Sequence, residues 1–99
     1  MAYQVIFKKR FYNNLVSVLN YIEKEWNKKV ADDFLEKLDK RISTLKEQPF
    51  IGSPSEVVKG VRGILITKHN KLYYKVSGDR IFILNMLDTR KNPKKNRYL

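Results

Sequence analysis

The sequence predicts an α+β fold with the element order β-α-α-β-β-β, in which one antiparallel sheet carries a helical hairpin on one face. Three observations predict it. Over residues 11–45 apolar residues recur every three or four positions, which is the period of amphipathic helices. Over residues 61–87 the period changes to two, which is that of strands. Residues 49–55, which are rich in proline, glycine and serine, separate the two patterns.

The first half is predicted to contain one strand and two helices. Residues 3–7 are aromatic and β-branched, as in a short strand, and residues 8–10 form a polar break. Residues 27–29 separate two helices, the second of which ends near Glu47 because Pro49 restricts the residue before it. Each helix has an apolar stripe that is interpreted as core: Phe11, Leu15, Val18, Leu19, Ile22 and Trp26 in the first, and Ala31, Phe34, Leu35, Leu38, Ile42 and Leu45 in the second.

The second half is predicted to contain three strands joined by tight turns. The strands cover residues 61–67, 71–77 and 80–87, and the turns cover residues 68–70 and 78–79. Side chains of the middle strand alternate between two faces. Those expected to face the helices are Leu72, Tyr74 and Val76, and those expected to face away are Lys71, Tyr73 and Lys75.

The composition is that of one small basic domain, predicted to cover residues 1–99. Lys and Arg number 21 against 10 Asp and Glu, a net charge of +11, and residues 49–99 hold 11 basic and 3 acidic residues. This excess favours nucleic acid, an anionic membrane surface or an acidic protein as partner, or else it merely keeps the chain soluble.

Disulfide, zinc and membrane proteins are excluded by the composition. The chain has no Cys and one His, His69, which is interpreted as a solvated turn residue, so we expect no metal and no other cofactor. Residues 1–10 lack the apolar core of a signal peptide, and no apolar run approaches the roughly 20 residues that span a bilayer. A cytoplasmic protein is therefore expected.

Three places in the sequence are candidates for chemistry. Lys71, Tyr73 and Lys75 suit a nucleic-acid backbone with the ring free to stack on a base, although an ordinary solvated sheet face has the same pattern. Arg62 lies between two glycines and can reach a phosphate, unless it is an exposed strand-edge residue. Glu56, in an otherwise basic stretch, is either a general base near RNA or part of a surface ion pair.

Six segments, taken in order, resemble a known family. They are Tyr3-Gln4-Val5, residues 45–52 (LKEQPFIG), Gly60-Val61-Arg62, residues 71–76 (KLYYKV), residues 79–84 (DRIFIL) and residues 88–93 (DTRKNP). Together they resemble the toxins of the RelE/ParE superfamily of bacterial toxin–antitoxin pairs, over nearly the whole chain. The resemblance implies a RelE/ParE-like fold and a cognate antitoxin that wraps the toxin.

The branches of this superfamily differ in target. RelE-like and YoeB-like members cut mRNA in the ribosomal A site, whereas ParE-like members inhibit DNA gyrase and are not nucleases. Glu56 matches the general base of the YoeB-like branch, but Asn70-Lys71 stand where that branch has His-Arg, and Thr89-Arg90 stand where it has His-Tyr. Whether the chain is an mRNA endonuclease therefore stays open, as does the choice between gyrase and the ribosome.

The resemblance also implies candidate site residues. In a RelE-like mechanism, Lys and Arg residues would stabilise the pentavalent phosphate and a late Tyr would activate the 2′-hydroxyl. The predicted catalytic set is Glu56, Arg62, Lys71 and Arg90, and the predicted target-binding set is Lys68, Tyr73, Lys75, Lys91 and Tyr98.

The sequence thus predicts a growth-inhibiting toxin of a type II toxin–antitoxin module, a plasmid stabilisation protein. The alternatives are a non-toxic basic nucleic-acid-binding module and a degenerate toxin that retains only antitoxin binding. Arg62→Ala is expected to relieve toxicity and to leave the thermal melt nearly unchanged, because an exposed Arg contributes little to folding. Leu38→Ala is expected to cost about 2–5 kcal/mol if Leu38 is core.

Overall fold

The structure is a computed structural model that describes residues 3–90, and it contains two helices and a five-stranded sheet. The elements are β1 (Gln4–Phe7), α1 (Lys9–Glu25), α2 (Lys28–Glu47), β2 (Ser53–Pro54), β3 (Val61–Thr67), β4 (Asn70–Ser77) and β5 (Arg80–Asp88). The predicted α+β class, the helical hairpin and the order of the long elements are confirmed. The short strand β2 was expected to be part of a loop.

The helical hairpin differs from the prediction at its boundaries. α1 already begins at Lys9, so residues 9 and 10 are helical and do not form a break. Asn27 adopts an extended backbone before α2, and its side-chain oxygen accepts a hydrogen bond from the Val30 N–H at 2.9 Å. This N-cap satisfies one of the unpaired N–H groups of the first helical turn. The two lysines after Asn27 therefore start α2, which ends at Glu47 as predicted.

The sheet is mixed, with the strand order β1-β5-β4-β3-β2. The pairs β2–β3, β3–β4 and β4–β5 are antiparallel, but β1 pairs with β5 in parallel, with Val5 opposite Ile81. The prediction of a purely antiparallel sheet is therefore wrong. This pairing joins the two ends of the fold, and a contact between such distant segments leaves no local pattern in the sequence.

The main core lies between the sheet and the two helices. Leu72 and Tyr74 are fully buried in it and Val76 packs against it, so the predicted inward face of β4 is confirmed. Leu38 is also buried there, as its place in the apolar stripe predicts. Two stripe residues are not core: Trp26 is 71% exposed and Leu35 is 39% exposed. A helical stripe gives the direction of a side chain but not whether another element covers it.

A β-bulge shifts the register between β4 and β5. Tyr73 lies opposite Asn85 whereas Tyr74 lies opposite Ile83, so Leu84 is the extra residue. Asn85 is buried, and its side-chain oxygen accepts hydrogen bonds from the Asn14 side chain of α1 and from the backbone N–H of the next residue. The bulge thus lets a buried amide tie β5 to α1. Within residues 3–90, neither helix is long and apolar enough to cross a membrane.

Candidate functional site

Arg62 fastens the segment that follows α2. Its Nη1 donates hydrogen bonds to the carbonyl of Gly52 at 2.8 Å and to that of Phe50 at 3.2 Å, and its guanidinium lies 5.2 Å from the centre of the Phe50 ring. The side chain is half-buried. The expectation of an exposed strand-edge Arg is therefore wrong, and because these contacts hold a loop to the sheet we expect Arg62 to contribute to folding.

Tyr74 supports the same loop from the core. Its hydroxyl accepts a hydrogen bond from the Gly52 N–H at 2.9 Å. Burial raises the pKa of Tyr74 above the ordinary value of 10.0, although the bond from Gly52 acts in the opposite direction. A Cβ at Gly52 would lie only 2.5 Å from the Tyr74 hydroxyl oxygen, so the close approach requires glycine.

Tyr73 is buried on the face of the sheet that points away from the helices. Only 8% of it is exposed, because it packs with Val61 and with Val58, Leu84 and Leu87 around them. The Lys71 ammonium lies 5.8 Å from the centre of its ring. The prediction that this ring is free to stack on a base is therefore wrong.

Lys71 can lie over Tyr73 because Gly63, across the strand pair, has no side chain. A Cβ there would come within 2.5 Å of the Lys71 Cε. Lys75 is exposed at the other end of the same face, and Lys68 is exposed in the turn between β3 and β4. The outward direction predicted for Lys71 and Lys75 agrees with the strand register.

Glu56 is exposed in the loop between β2 and β3. The hydroxyl of Ser55 shapes this loop, since it accepts hydrogen bonds at 3.1 Å from the N–H groups of Val57 and Val58. Glu56 therefore lies on a turn that is organised by its neighbour, and its carboxylate has open access to solvent.

Arg90 is bound to Asp88. Its guanidinium donates to both carboxylate oxygens of Asp88, and its backbone N–H donates to one of them at 2.8 Å. These hydrogen bonds lower the pKa of Asp88 well below its ordinary range. The guanidinium N–H groups that would bind a phosphate are thus occupied by a carboxylate of the same chain.

The structure does not bring the predicted catalytic residues together. Arg62 lies opposite Tyr74 and Lys71 lies opposite Leu65, so their side chains leave opposite faces of the sheet. Arg90 follows the end of β5 and is held by Asp88, while Glu56 lies on the loop before β3. Within residues 3–90, no three His, Cys, Asp or Glu side chains are grouped as metal ligands. The predicted site residues Lys91 and Tyr98 lie outside the described residues.

An apolar groove was missed by the sequence interpretation. It has a volume of about 340 Å³ and runs between β1, α1 and α2. Its lining includes Phe7, Tyr12 and Leu35, which are 51%, 61% and 39% exposed. The one charged residue in the lining is Asp39. The ring of Tyr12, one position after the core residue Phe11, is a hint in the sequence that α1 has a second apolar edge.

A protein-family model matches most of the chain. Residues 5–93 fit the family model described as the ParE toxin of the type II toxin–antitoxin system parDE. A search among curated protein sequences finds no significant match.

Solved toxin structures share this fold at low sequence identity. The chromosomal ParDE system of P. aeruginosa matches with a TM-score of 0.75 and 19% identity, over 88% of this chain and 96% of that one. The YoeB/ParE toxin from Agrobacterium tumefaciens matches with a TM-score of 0.65 and 17% identity, over 86% and 96%. The RelBE2 complex of Mycobacterium tuberculosis matches with a TM-score of 0.60 and 15% identity, over 89% and 99%.

Proposed function

Because the chain belongs to the ParE toxin family of type II toxin–antitoxin systems, we propose that it stops growth by binding DNA gyrase and not by cutting RNA. The observation that carries the proposal is the separation of the four candidate catalytic residues. Phosphoryl cleavage needs a base and cations around one phosphate. Here Arg62 and Lys71 leave opposite faces of the sheet, and the Arg90 fork is filled by Asp88.

The positions of these residues also support structural roles for two of them. Arg62 binds the Gly52 carbonyl and so holds the loop after α2 to the sheet, and Arg90 binds Asp88 at the end of β5. Neither role depends on a substrate. A toxin that acts by occupying a target needs only a stable surface, and these contacts stabilise the elements that present one.

The proposal is tested by inducing the chain in a bacterium that lacks the antitoxin and following precursor incorporation. We expect DNA synthesis to stop first, and the purified chain to inhibit supercoiling by purified gyrase. Glu56→Gln should stay toxic, because a mechanism that acts by binding needs no general base. An early stop in translation, with mRNA cut on ribosomes and a non-toxic Glu56→Gln variant, would instead identify a nuclease. Normal growth would favour a degenerate toxin or a non-toxic binding module.

The family implies an antitoxin, and the apolar groove is where we place its main contact. Exposed apolar surface of this kind is characteristic of an interaction site, and a groove between two helices suits the apolar face of an amphipathic helix. Phe7 and Tyr12 at one rim and Leu35 at the other would be covered by such a helix.

A further inference from the structure

The sheet has a second apolar surface, on the face that points away from the helices, which we call the outer face. Strand register defines its members. Ile6 lies beside Phe82, Phe82 lies opposite Lys75, and Leu65 lies opposite Lys71. The apolar side chains of the outer face are Ile6, Val61, Leu65, Tyr73, Phe82, Leu84 and Leu87. Within residues 3–90 no helix covers this face, and Val58 of the loop before β3 packs against Val61 and Tyr73 at one part of it.

The charges of the outer face have a single sign. The outward positions of the strands within residues 3–90 hold Lys71, Lys75 and Arg80 and no acidic residue. Lys8, at the end of β1, adds a fourth cation, because its ammonium lies 5.7 Å from the centre of the Phe82 ring. Because β4 is the central strand, Lys71 and Lys75 lie among the apolar side chains, whereas Arg80 and Lys8 lie toward the β1 side, so apolar and cationic side chains alternate across the outer face.

The apolar side chains of the outer face favour a protein over nucleic acid as the partner. A nucleic-acid surface that binds single strands needs aromatic rings on which bases can stack. On the outer face Tyr73 is buried under Lys71, and the Phe82 ring carries Lys8. Leu65 and Leu84 present aliphatic surface, which side chains of another protein can cover.

We propose that the outer face is the surface that contacts the toxin's target, and that its occupant is an acidic patch on a protein. Carboxylates would meet Lys75 and Arg80, while apolar side chains pack on Leu65 and Leu84. This assignment rests on the proposed function only in placing the acidic patch on gyrase. The chemistry of the face itself follows from the strand register and the charges.

The test is a charge reversal on this face with a matched reversal elsewhere. Lys75→Glu/Arg80→Glu changes two exposed residues of the outer face, and Lys24→Glu/Lys37→Glu makes the same change in net charge on the helices. Each variant is measured for binding to immobilised gyrase holoenzyme at two salt concentrations, with circular dichroism to confirm folding. We expect the outer-face variant to lose about tenfold or more in affinity and most of its salt dependence, and the helix variant to stay within about twofold.

A neutral substitution tests the apolar part of the outer face. Leu65→Ser removes an exposed aliphatic side chain without changing charge, and it should also weaken gyrase binding. Equal affinity of the outer-face and helix variants would overturn the proposal. So would an outer-face variant that loses binding to a 20-nucleotide single strand of RNA or DNA while it keeps gyrase binding, because the face would then serve nucleic acid.

Failure of the proposed function gives a different result. If the unmodified chain stops growth but does not bind gyrase, the target is wrong, and growth inhibition by the two double variants then tests the face. If the outer-face variant is not toxic and the helix variant is, the outer face is still the surface that contacts the target. Equal toxicity of both variants overturns it.

Discussion

Arg62→Ala should destabilise the fold, in contrast to what the sequence alone predicts. In the structure the Arg62 guanidinium donates to two carbonyls of the segment after α2, those of Phe50 and Gly52, and stacks over the Phe50 ring. Alanine removes all three contacts at once. It also leaves the partly buried Gly52 carbonyl without this donor.

The expected loss is about 2–3 kcal/mol of unfolding free energy. A hydrogen bond from a charged donor is worth about 1.5–3 kcal/mol. We assign that energy only to the bond with the Gly52 carbonyl, which is partly buried, because the Phe50 carbonyl is exposed to water. The contact with the half-exposed Phe50 ring adds about 0.5–1 kcal/mol. For a chain of about 100 residues, this loss lowers the melting temperature by roughly 10 °C or more.

The assay is thermal and urea unfolding of Arg62→Ala beside Arg41→Ala, which removes an exposed Arg from α2. The control should change stability by no more than about 0.5 kcal/mol. Hydrogen exchange gives a local reading, because the Gly52 N–H should exchange faster once its loop is released. Equal stability of the two variants, with unchanged exchange at Gly52, would refute the structural role and return Arg62 to the surface as a candidate phosphate ligand.

Three further substitutions test other parts of the structure. Leu38→Ala should cost about 2–5 kcal/mol in urea unfolding, and a change within experimental error would mean that Leu38 is not core. Tyr74→Phe should cost about 1–3 kcal/mol because it leaves the buried Gly52 N–H without an acceptor. Burial raises the pKa of Tyr74, so the folded state keeps the phenol proton at pH values where the unfolded chain begins to lose it. The unmodified chain should therefore lose stability as the pH rises above 10.0, and Tyr74→Phe should lose less. Parallel pH curves for the two proteins would contradict this. Leu35→Asp should weaken antitoxin binding at least tenfold in a pull-down titration and leave toxicity intact, whereas unchanged binding would remove the antitoxin from the groove.

Local patterns predicted the elements, but not how the first and last strands pair. The alternation in residues 71–77 correctly placed Leu72 and Tyr74 in the core, since side-chain direction in a strand follows from the pleat alone. The parallel pairing of β1 with β5 joins Val5 to Ile81, and nothing in either segment specifies the other. The exposure of Leu35 could not be predicted either, because it depends on the distance between α1 and α2 and not on a local pattern.

For the candidate site, the sequence identified residue types and missed their partners. Arg62 was correctly singled out, but its interpretation as a phosphate ligand assumed that the guanidinium was free. The carbonyls it binds belong to residues ten and twelve positions away, at a loop whose path no periodicity gives. Tyr73 was placed on the correct face, yet the bulge at Leu84 and the packing around it bury the ring.

The two proposed surfaces meet at β1, and this constrains how an antitoxin can act. Phe7 lines the groove on the helical side, whereas its neighbour Ile6 belongs to the outer face, because successive strand residues point to opposite faces. A helix bound in the groove alone would leave Lys75 and Arg80 open to the target. Neutralisation would then need a second segment that crosses the edge strand β1 to reach the outer face. An antitoxin fragment limited to the groove helix should therefore bind the toxin without silencing it, and silencing by that fragment would show that target binding extends to the helical face.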